Sequence, residues 1–245
     1  MAFSVVVPSK NATNLVACVR AIRESGESCD IVVVDDGVAD WSGIAQWTKC
    51  GERPSLRVIQ GVKPFVFARN INKGIRAAGT DDVIVLNDDA LLNTPAGFTH
   101  MARQSTIFSD YGMLAASCDN VGNPNQFRRA VDGVRPEPRM VCFVCVYIPR
   151  STIDLVGLLD ERFVGYGLDD DDYSMRVRNA GLKLGVYDGC YVDHGSLTSS
   201  YRGGAKNGGD FRPNLRLFIE KWGVDNWGKT REQSEWAHLW PEVKA

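Results

Sequence analysis

The 245-residue sequence has no long apolar segment and no excess of charge of either sign. Its longest mostly apolar run, Met140 to Ile148, has nine residues, whereas a membrane-spanning helix needs roughly 20. The 28 Lys and Arg against 30 Asp and Glu give a formal net charge of −2, which disfavours a protein built around non-specific contact with nucleic-acid phosphates. With 44% hydrophobic and 24% charged residues, the composition is typical of a soluble globular protein rather than a disordered, collagen-like or coiled-coil chain.

The sequence also lacks the features of an exported protein. Residues 1–7 contain neither a basic segment nor a long apolar one, so we expect no secretory signal. The seven cysteines are odd in number and scattered, which indicates reduced thiols. Cys142 and Cys145 form a CxxC pair inside the apolar run, but no second pair completes a zinc site, and we predict two buried small hydrophobes. The predicted location is the cytoplasm, in soluble form, with peripheral membrane contact as an option.

Four short apolar runs in the first half predict the buried strands of a mostly parallel sheet, because they are apolar on both faces. These runs are Ser4–Pro8, Ile31–Val34, Leu56–Ile59 and Val83–Leu86. Helical patterns lie at Leu15–Ile22, between the first two runs, and from about Phe67 to Ala78. This alternation is typical of a doubly wound α/β half.

The second half is less regular, and no linker divides it from the first. We predict strands at Val141–Ile148 and Lys183–Tyr187, and helices at Asp169–Asn179 and Leu215–Trp222. Residues 196–214 are rich in Gly and Ser and are predicted to form a mobile loop.

Small polar or acidic residues follow three of the predicted strands. They are Pro8–Asn11, Asp35–Gly37 and Asn87–Asp89. Because ligands bind at the carboxyl ends of the strands in an open parallel sheet, these groups suit a nucleotide and a divalent cation. No G-x-G-x-x-G follows a strand and no G-x-x-x-x-G-K-[ST] occurs, so dinucleotide-binding and P-loop proteins are not supported.

The adjacent carboxylates of Asp88 and Asp89 form one candidate site. In a dry site they would repel each other unless a cation lay near them. A site for Mg²⁺ or Mn²⁺, completed by phosphate oxygens, meets that need. A solvated loop with a helix cap is the alternative.

A second candidate site is the run of four aspartates, Asp169–Asp172, which follows Gly165-Tyr166-Gly167. One or two acids would be enough to complement a helix dipole, and the surplus costs repulsion. A carboxylate projecting into a cleft can act as a general base, with a purely structural helix terminus as the alternative. His194, between this helix and the Gly-rich loop, is a candidate metal ligand or a structural histidine.

Taken in order, these segments resemble glycosyltransferase family 2. The first half contains V-V-V-P-S-K-N (5–11), V-V-V-D-D-G (32–37), F-A-R-N-I-N-K-G (67–74) and V-L-N-D-D-A (85–90). The second half contains L-D-E-R-F (159–163), the aspartate run, and F-I-E-K-W-G (218–223). The resemblance covers roughly residues 3–223. It implies one α/β domain of GT-A fold, with a doubly wound, mostly parallel central sheet flanked by helices. Within residues 1–245 it implies a nucleotide-sugar-binding half, about 1–98, an acceptor and catalytic half, about 99–223, and a tail, 224–245.

The resemblance also implies site residues. Those expected to bind the donor nucleotide are Pro8, Ser9, Lys10, Asn11, Asp36, Arg69, Asn87 and Asp88. Asp89 and His194 are expected to hold Mn²⁺ or Mg²⁺, and Asn87-Asp88-Asp89 is the DXD-type motif with Asn in the first position. Asp170 is expected to be the catalytic base, while Asp169, Gly167 and Tyr166 contact the acceptor. Arg202 and Lys206 are proposed, from their charge alone, as a lid over the diphosphate.

The implied activity is metal-dependent, inverting transfer of a sugar from a UDP-, GDP- or dTDP-linked donor to an acceptor hydroxyl. The acceptor is a carbohydrate, a lipid-linked molecule or another alcohol, and the oligomeric state is left open. A retaining glycosyltransferase, a sugar-phosphate nucleotidyltransferase and a non-catalytic carbohydrate-binding relative are the alternatives. A cluster of Arg128, Arg129, Arg135 and Arg139 either faces an anionic acceptor or forms a solvated basic surface.

Overall fold

The computed structural model describes residues 2–48, 54–130, 132–199 and 210–241. Its strands are β1 (Phe3–Ser9), β2 (Asp30–Asp35), β3 (Leu56–Gln60), β4 (Asp82–Leu86), β5 (Leu91–Leu92), β6 (Tyr111–Cys118), β7 (Val134–Glu137), β8 (Cys145–Ile148) and β9 (Lys183–Asp193). Its α-helices are α1 (Ala12–Glu24), α2 (Phe67–Ala77), α3 (Gly97–Ile107), α4 (Arg150–Val156), α5 (Asp169–Asn179) and α6 (Arg212–Trp222). Short 3-10 helices span Ser42–Trp47, Pro124–Gln126 and Ala237–Leu239.

The strands form one mixed sheet in the order β3-β2-β1-β4-β8-β6-β9-β5, with β7 paired to β9. In the first half β1 to β4 are mutually parallel, so the segments that follow them meet at one edge. β8 is antiparallel to both β4 and β6, and β6 is parallel to β9. The predicted single α/β domain, with a doubly wound central sheet flanked by helices, is confirmed.

Strand β1 shows why the first half is apolar on both faces. Val5 and Val7 pack in one core cluster with Leu15 of α1, whereas Val6 packs in another with Ile71 of α2. Successive side chains of a strand point to opposite faces, so a strand covered by helices on both sides must be apolar throughout. All seven residues of β1 are buried.

The second half follows the prediction in part. Helix α5 has the predicted bounds, Asp169–Asn179, whereas β9 continues to Asp193 instead of ending at Tyr187. Of the predicted loop 196–214, residues 200–209 lie outside the described part of the chain, and 212–214 belong to α6. Among the described residues, no helix combines the length and apolarity needed to span a bilayer.

The predicted strand Val141–Ile148 was wrong over its first half, because only Cys145–Ile148 is a strand. The amide N–H groups before it donate to side chains instead of a neighbouring strand: that of Val141 to Ser174 Oγ (3.2 Å) and that of Cys142 to Gln126 Oε1 (2.6 Å). Side-chain acceptors from distant segments thus replace the sheet ladder. As a result Cys142 is only partly buried, whereas Cys145 is buried as predicted.

We predict that Gly74→Ala destabilises the protein, although alanine normally favours a helix over glycine. A Cβ at Gly74 would overlap the side chain of Val6, on which α2 packs. Overpacking of this kind costs about 1–3 kcal/mol, which exceeds the gain of about 1 kcal/mol in helix propensity. Urea denaturation measures the change in the free energy of unfolding. Gly133→Ala, where an added Cβ has no neighbour within 4 Å, is the control, and equal stability of the two variants would contradict the prediction.

Candidate active site

A cavity of about 280 Å³ lies where β1 and β4 end. Its walls combine residues of both halves of the chain: Pro8, Phe65, Phe67, Asn87, Asp88, Asp89, Val121, Gly122, Cys142, Phe143, Val144, Gly165, Tyr166, Gly167, Asp169, Asp170, His194 and Ser199. The structure therefore brings together both acidic motifs and the histidine that the sequence analysis selected.

Asp89 and His194 form a buried pair in this cavity, with Asp89 Oδ1 3.2 Å from His194 Nε2. The other ring nitrogen, Nδ1, bonds the carbonyl oxygen of Asn120, which can only accept, so Nδ1 carries the hydrogen. In the neutral ring this leaves the Nε2 lone pair facing a carboxylate, an arrangement that a cation between the two groups stabilises.

This donor set fits a divalent cation. Two adjacent ligands of an octahedral ion, each at about 2.1 Å, lie about 3 Å apart, close to the 3.2 Å between Asp89 and His194. Among the described residues, no cluster of three or more His, Cys, Asp and Glu side chains is arranged to hold a metal ion. The remaining positions around an ion at this pair would be open to ligand oxygens, as in catalytic sites.

Neighbouring segments hold His194 in place. Its backbone N–H donates to Asp119 Oδ1 (2.8 Å), which ties the end of β9 to the end of β6. Beyond it, Asp193 Oδ1 accepts from the backbone N–H groups of Gly195 and Ser196 (3.2 and 3.0 Å). Asn14 of α1 donates to the carbonyl oxygen of Thr198 (3.0 Å), so the segment after β9 returns to the first helix.

The predicted donor-binding residues divide into two groups. Pro8, Asn87 and Asp88 line the cavity. Ser9 lies behind them, and its hydroxyl donates to Asp88 Oδ2 (2.6 Å). This hydrogen bond between the ends of β1 and β4 orients the first carboxylate of the pair.

The other predicted donor-binding residues do not line the cavity. Asn11 caps α1 by accepting from the N–H groups of Thr13 and Asn14 (2.9 and 3.2 Å), and Lys10 is exposed. Asp36 is buried in an ion pair with Lys63 (2.6 Å). The guanidinium of Arg69 lies 3.8 Å from Glu161. Arg202 and Lys206 fall outside the described residues.

The acidic end of α5 forms another part of the wall. Asp169 is buried, Asp170 is half-buried, and both line the cavity with Tyr166 and Gly167. The segment before α5 is fixed by Asn214 of α6, which accepts from the Gly165 N–H (3.2 Å) and donates to the Gly167 carbonyl (2.7 Å).

The other two aspartates of the run are structural. Asp171 pairs with Arg139 (3.1 Å). Asp172 is fully buried and accepts from Arg176 Nε (3.1 Å), Lys221 Nζ (2.7 Å) and the indole N–H of Trp222 (3.0 Å). The run of four aspartates thus serves two purposes: Asp171 and Asp172 form ion pairs within the protein, whereas Asp169 and Asp170 line the cavity.

Burial changes the acidity of the two cavity-facing aspartates. It raises the pKa of Asp169 to about 8, with the adjacent charge of Asp170 as the next cause. Burial also raises the pKa of Asp170, but backbone N–H groups, including those of Asp171 and Phe143, and the charge of Arg139 oppose that rise. The pair therefore resists double ionisation, and Asp170 is the member better able to hold the negative charge.

Sequence reasoning missed the apolar and thiol-bearing part of the wall. Phe65 and Phe67 flank the start of α2, and Cys142 and Phe143 belong to the turn that was predicted as a strand. These residue types gave no indication of a functional site, since apolar residues more often belong to the hydrophobic core than to a binding site. The one available indication was that Phe67 begins the F-A-R-N motif, with Phe65 two residues before it.

We predict that Asp169→Asn stabilises the protein increasingly as the pH rises. The folded protein keeps a proton that the unfolded chain releases, since the pKa rises from 3.8 to about 8 on folding. The cost of this burial grows with pH across that window, by at most about 1.4 kcal/mol per pH unit, and is absent below it. Thermal denaturation without divalent metal, between about pH 5 and about pH 8, measures the difference from wild type.

The control for this experiment is Asp40→Asn. Asp40 is an exposed residue whose pKa is lowered by its hydrogen bonds to Ser42, so its substitution should give no gain. A stability gain at Asp169→Asn that is the same at both ends of the pH range would contradict the assigned shift.

Comparison with known proteins agrees with this geometry. A family model described as glycosyl transferase family 2 matches residues 4–102. Comparison with curated proteins gives no sequence match. A crystal structure of GalNAc-T7 with UDP, GalNAc and Mn²⁺ superposes with a TM-score of 0.71 at 13% identity, over 93% of this chain and 49% of that one. This chain thus spans about half the length of the GalNAc-T7 chain.

Structures of TarS from S. aureus are also similar. TarS 1–349 in complex with UDP-GlcNAc superposes with a TM-score of 0.62 at 16% identity, over 98% of this chain and 69% of that one. The resemblance to glycosyltransferase family 2 is therefore confirmed: residues 4–102 match the family's domain, and the described chain has the GT-A fold of nucleotide-sugar-dependent glycosyltransferases.

Proposed function

We propose that this chain is a metal-dependent, inverting glycosyltransferase that moves a sugar from a nucleoside-diphosphate sugar to an acceptor hydroxyl. The observation that carries the proposal is that one cavity holds the Asp89–His194 pair from one set of strand ends and the Asp169–Asp170 pair from α5. The first pair suits a cation and the diphosphate that it binds, and the second suits removal of a proton. Supporting this, the similar structures hold UDP, UDP-GlcNAc and Mn²⁺.

The donor occupies the part of the cavity built by residues 1–98. Pro8, Asn87 and Asp88 contact the nucleotide, and Asp89 with His194 would hold Mn²⁺ or Mg²⁺. The bound ion supplies positive charge that offsets the charge developing on the departing diphosphate. Because UDP is present in both similar proteins, a UDP-linked sugar is the first donor to test.

Asp170 is the general base in the part built by residues 99–223. As the acceptor oxygen forms a bond to carbon 1 of the sugar, the bond from carbon 1 to the diphosphate oxygen breaks, and the hydroxyl proton passes to the Asp170 carboxylate. One displacement of this kind inverts the anomeric configuration. Burial raises the pKa of Asp170, which makes the carboxylate a stronger base than an exposed aspartate.

Asp169, Tyr166 and Gly167 position the acceptor. A carboxyl with a pKa of about 8 is protonated at neutral pH, so Asp169 can donate a hydrogen bond to an acceptor oxygen. Tyr166 is 41% exposed beside it and offers an apolar ring face and a hydroxyl. Neutral Asp169 also leaves Asp170 as the charged member of the pair.

We expect Asp170→Asn to bind UDP normally but to lose transfer by roughly 10²–10⁴-fold, the usual scale for loss of a general base. In wild type the rate should rise with pH through the raised pKa of Asp170, and the variant should lack that rise. Transfer is measured with UDP-sugars, and UDP binding by calorimetry. Asp154→Asn, an exposed aspartate of α4, is the matched control. Near-normal transfer by Asp170→Asn would refute the base, and a product with retained anomeric configuration, by NMR, would refute inversion.

Substitution of Asp89 tests the metal site. In wild type, Mn²⁺ should strengthen UDP binding at least about tenfold, because an ion held by Asp89 would offset the negative charge of the diphosphate. In Asp89→Asn, titration of UDP with and without Mn²⁺ should give nearly equal affinities. Wild-type binding that is equally tight without metal would contradict the metal role while leaving the nucleotide site in place.

A further inference from the structure

A second concavity, of about 1010 Å³, lies away from the proposed active site. We refer to it as the basin. Helix α3 contributes Arg103, the middle of β9 contributes Tyr187–Gly189, and the segment before β7 contributes Arg128 and Arg129. The basin therefore gathers three guanidiniums from two segments that are far apart in sequence.

None of these three arginines forms an ion pair with a carboxylate among the residues that the structure describes. Two of them are steadied by uncharged groups instead. Arg128 lies over the ring of Tyr191, 5.0 Å from its centroid, and Arg129 Nη2 donates to Asn125 Oδ1 (3.2 Å). Their charges are thus held in place without being neutralised.

Two neighbouring arginines, Arg135 and Arg139, do form ion pairs with carboxylates. Arg135 forms a buried ion pair with Asp188, and Arg139 pairs with Asp171 (3.1 Å). The arginine cluster of the sequence thus separates into two structural residues and two that face the basin.

The basin carries a net positive charge in a chain whose total is −2. Its lining contains Asp132 and Asp188, but Arg135 already neutralises Asp188. Three guanidiniums against the one remaining carboxylate leave an excess of two positive charges among the Arg and Asp side chains of the lining. Like charges gathered on a concave surface repel each other unless an anion joins them.

We propose that the basin is a binding site for a phosphate group carried by the acceptor. Each guanidinium presents a planar fork of donors that matches phosphate geometry. A carboxylate has two oxygens, too few for three forks, whereas a phosphate offers three or more. The site is distinct from the metal pair and contains no residue of the active-site cavity.

Strand β9 relates the basin to the cavity. It passes from Gly189, in the basin, through Tyr191, under Arg128, to His194 in the active site. At about 3.3 Å per residue, Tyr191 and His194 lie roughly 10 Å apart along the chain. An extended acceptor can therefore place one phosphate in the basin and a hydroxyl near Asp170. This use of the site rests on the proposed transferase function.

Calorimetric titration of the full chain with inorganic pyrophosphate, without divalent metal, tests the site itself. Saturable binding is expected, and Arg103→Gln, Arg128→Gln and Arg129→Gln should each weaken it about fivefold or more, with the triple variant showing none. Asp89→Asn should bind pyrophosphate as wild type does, which separates the basin from the donor site. Arg20→Gln, an exposed arginine of α1, is the matched control. Binding that survives in the triple variant, or that falls equally in Arg20→Gln, would overturn the proposal.

A transfer assay tests the link to the acceptor. Wild type should have a lower KM for a short oligosaccharide with a terminal phosphate than for the same oligosaccharide without it, and the triple variant should lose the difference. No preference in wild type would overturn the acceptor role even if pyrophosphate binds. Absence of transfer to any acceptor would count against the proposed function, while the calorimetry would still decide the site.

Vesicles identify the source of the phosphate. Cosedimentation with phosphatidic acid vesicles that requires the three arginines would assign it to a lipid-linked acceptor, and pyrophosphate binding without cosedimentation would assign it to a soluble one.

Discussion

The buried carboxylate of Asp172 determines how α5 and α6 pack together. It accepts hydrogen bonds from Lys221 and Trp222 at the end of α6 (2.7 and 3.0 Å), and so joins α6 to the first turn of α5. Because α6 is fixed there, Asn214 at its other end meets the backbone of the 165–167 segment. Breaking a buried pair of this kind costs about 3–5 kcal/mol, since it leaves an uncompensated charge. The contacts of Asp172 thus help to fix the helical turn from which Asp169 lines the cavity.

The same helical turn shows two solutions to one electrostatic problem. Outside the cavity, the carboxylates of Asp171 and Asp172 lie in ion pairs with Arg139, Arg176 and Lys221. Inside it, Asp169 retains a proton, because burial beside Asp170 disfavours a second charge. The basin presents the converse case, with uncompensated cations in place of uncompensated acids. In a chain of nearly balanced charge, the two places where compensation is missing are the two places where we propose that a ligand binds.

The parts of this structure that local patterns encode were predictable. Apolar runs located β1 to β4. The aspartate run marked the start of α5, and Gly181, which has a positive φ, marked the point just after its end. Contacts between distant segments were not predictable. The stretch from Val141 to Val144 is apolar like a strand, but Ser174 and Gln126 accept the N–H groups of its first two residues. Arg103 and Arg128 are distant in the sequence, and the tertiary fold places both at one concavity together with residues of β9.

Sheet topology explains why the two acidic motifs share one cavity. Because β8 is antiparallel to β4, its first residue, Cys145, pairs with the last residue of β4, Leu86. The residues before β8 must therefore lie beside those after β4, and the Asn87 N–H indeed donates to the Val144 carbonyl (2.9 Å). The turn before β8 also supplies the Phe143 N–H that favours the charged form of Asp170. The antiparallel pairing of β8 with β4 thus places the turn that contacts Asp170, the proposed base, beside the strand end that carries Asp89.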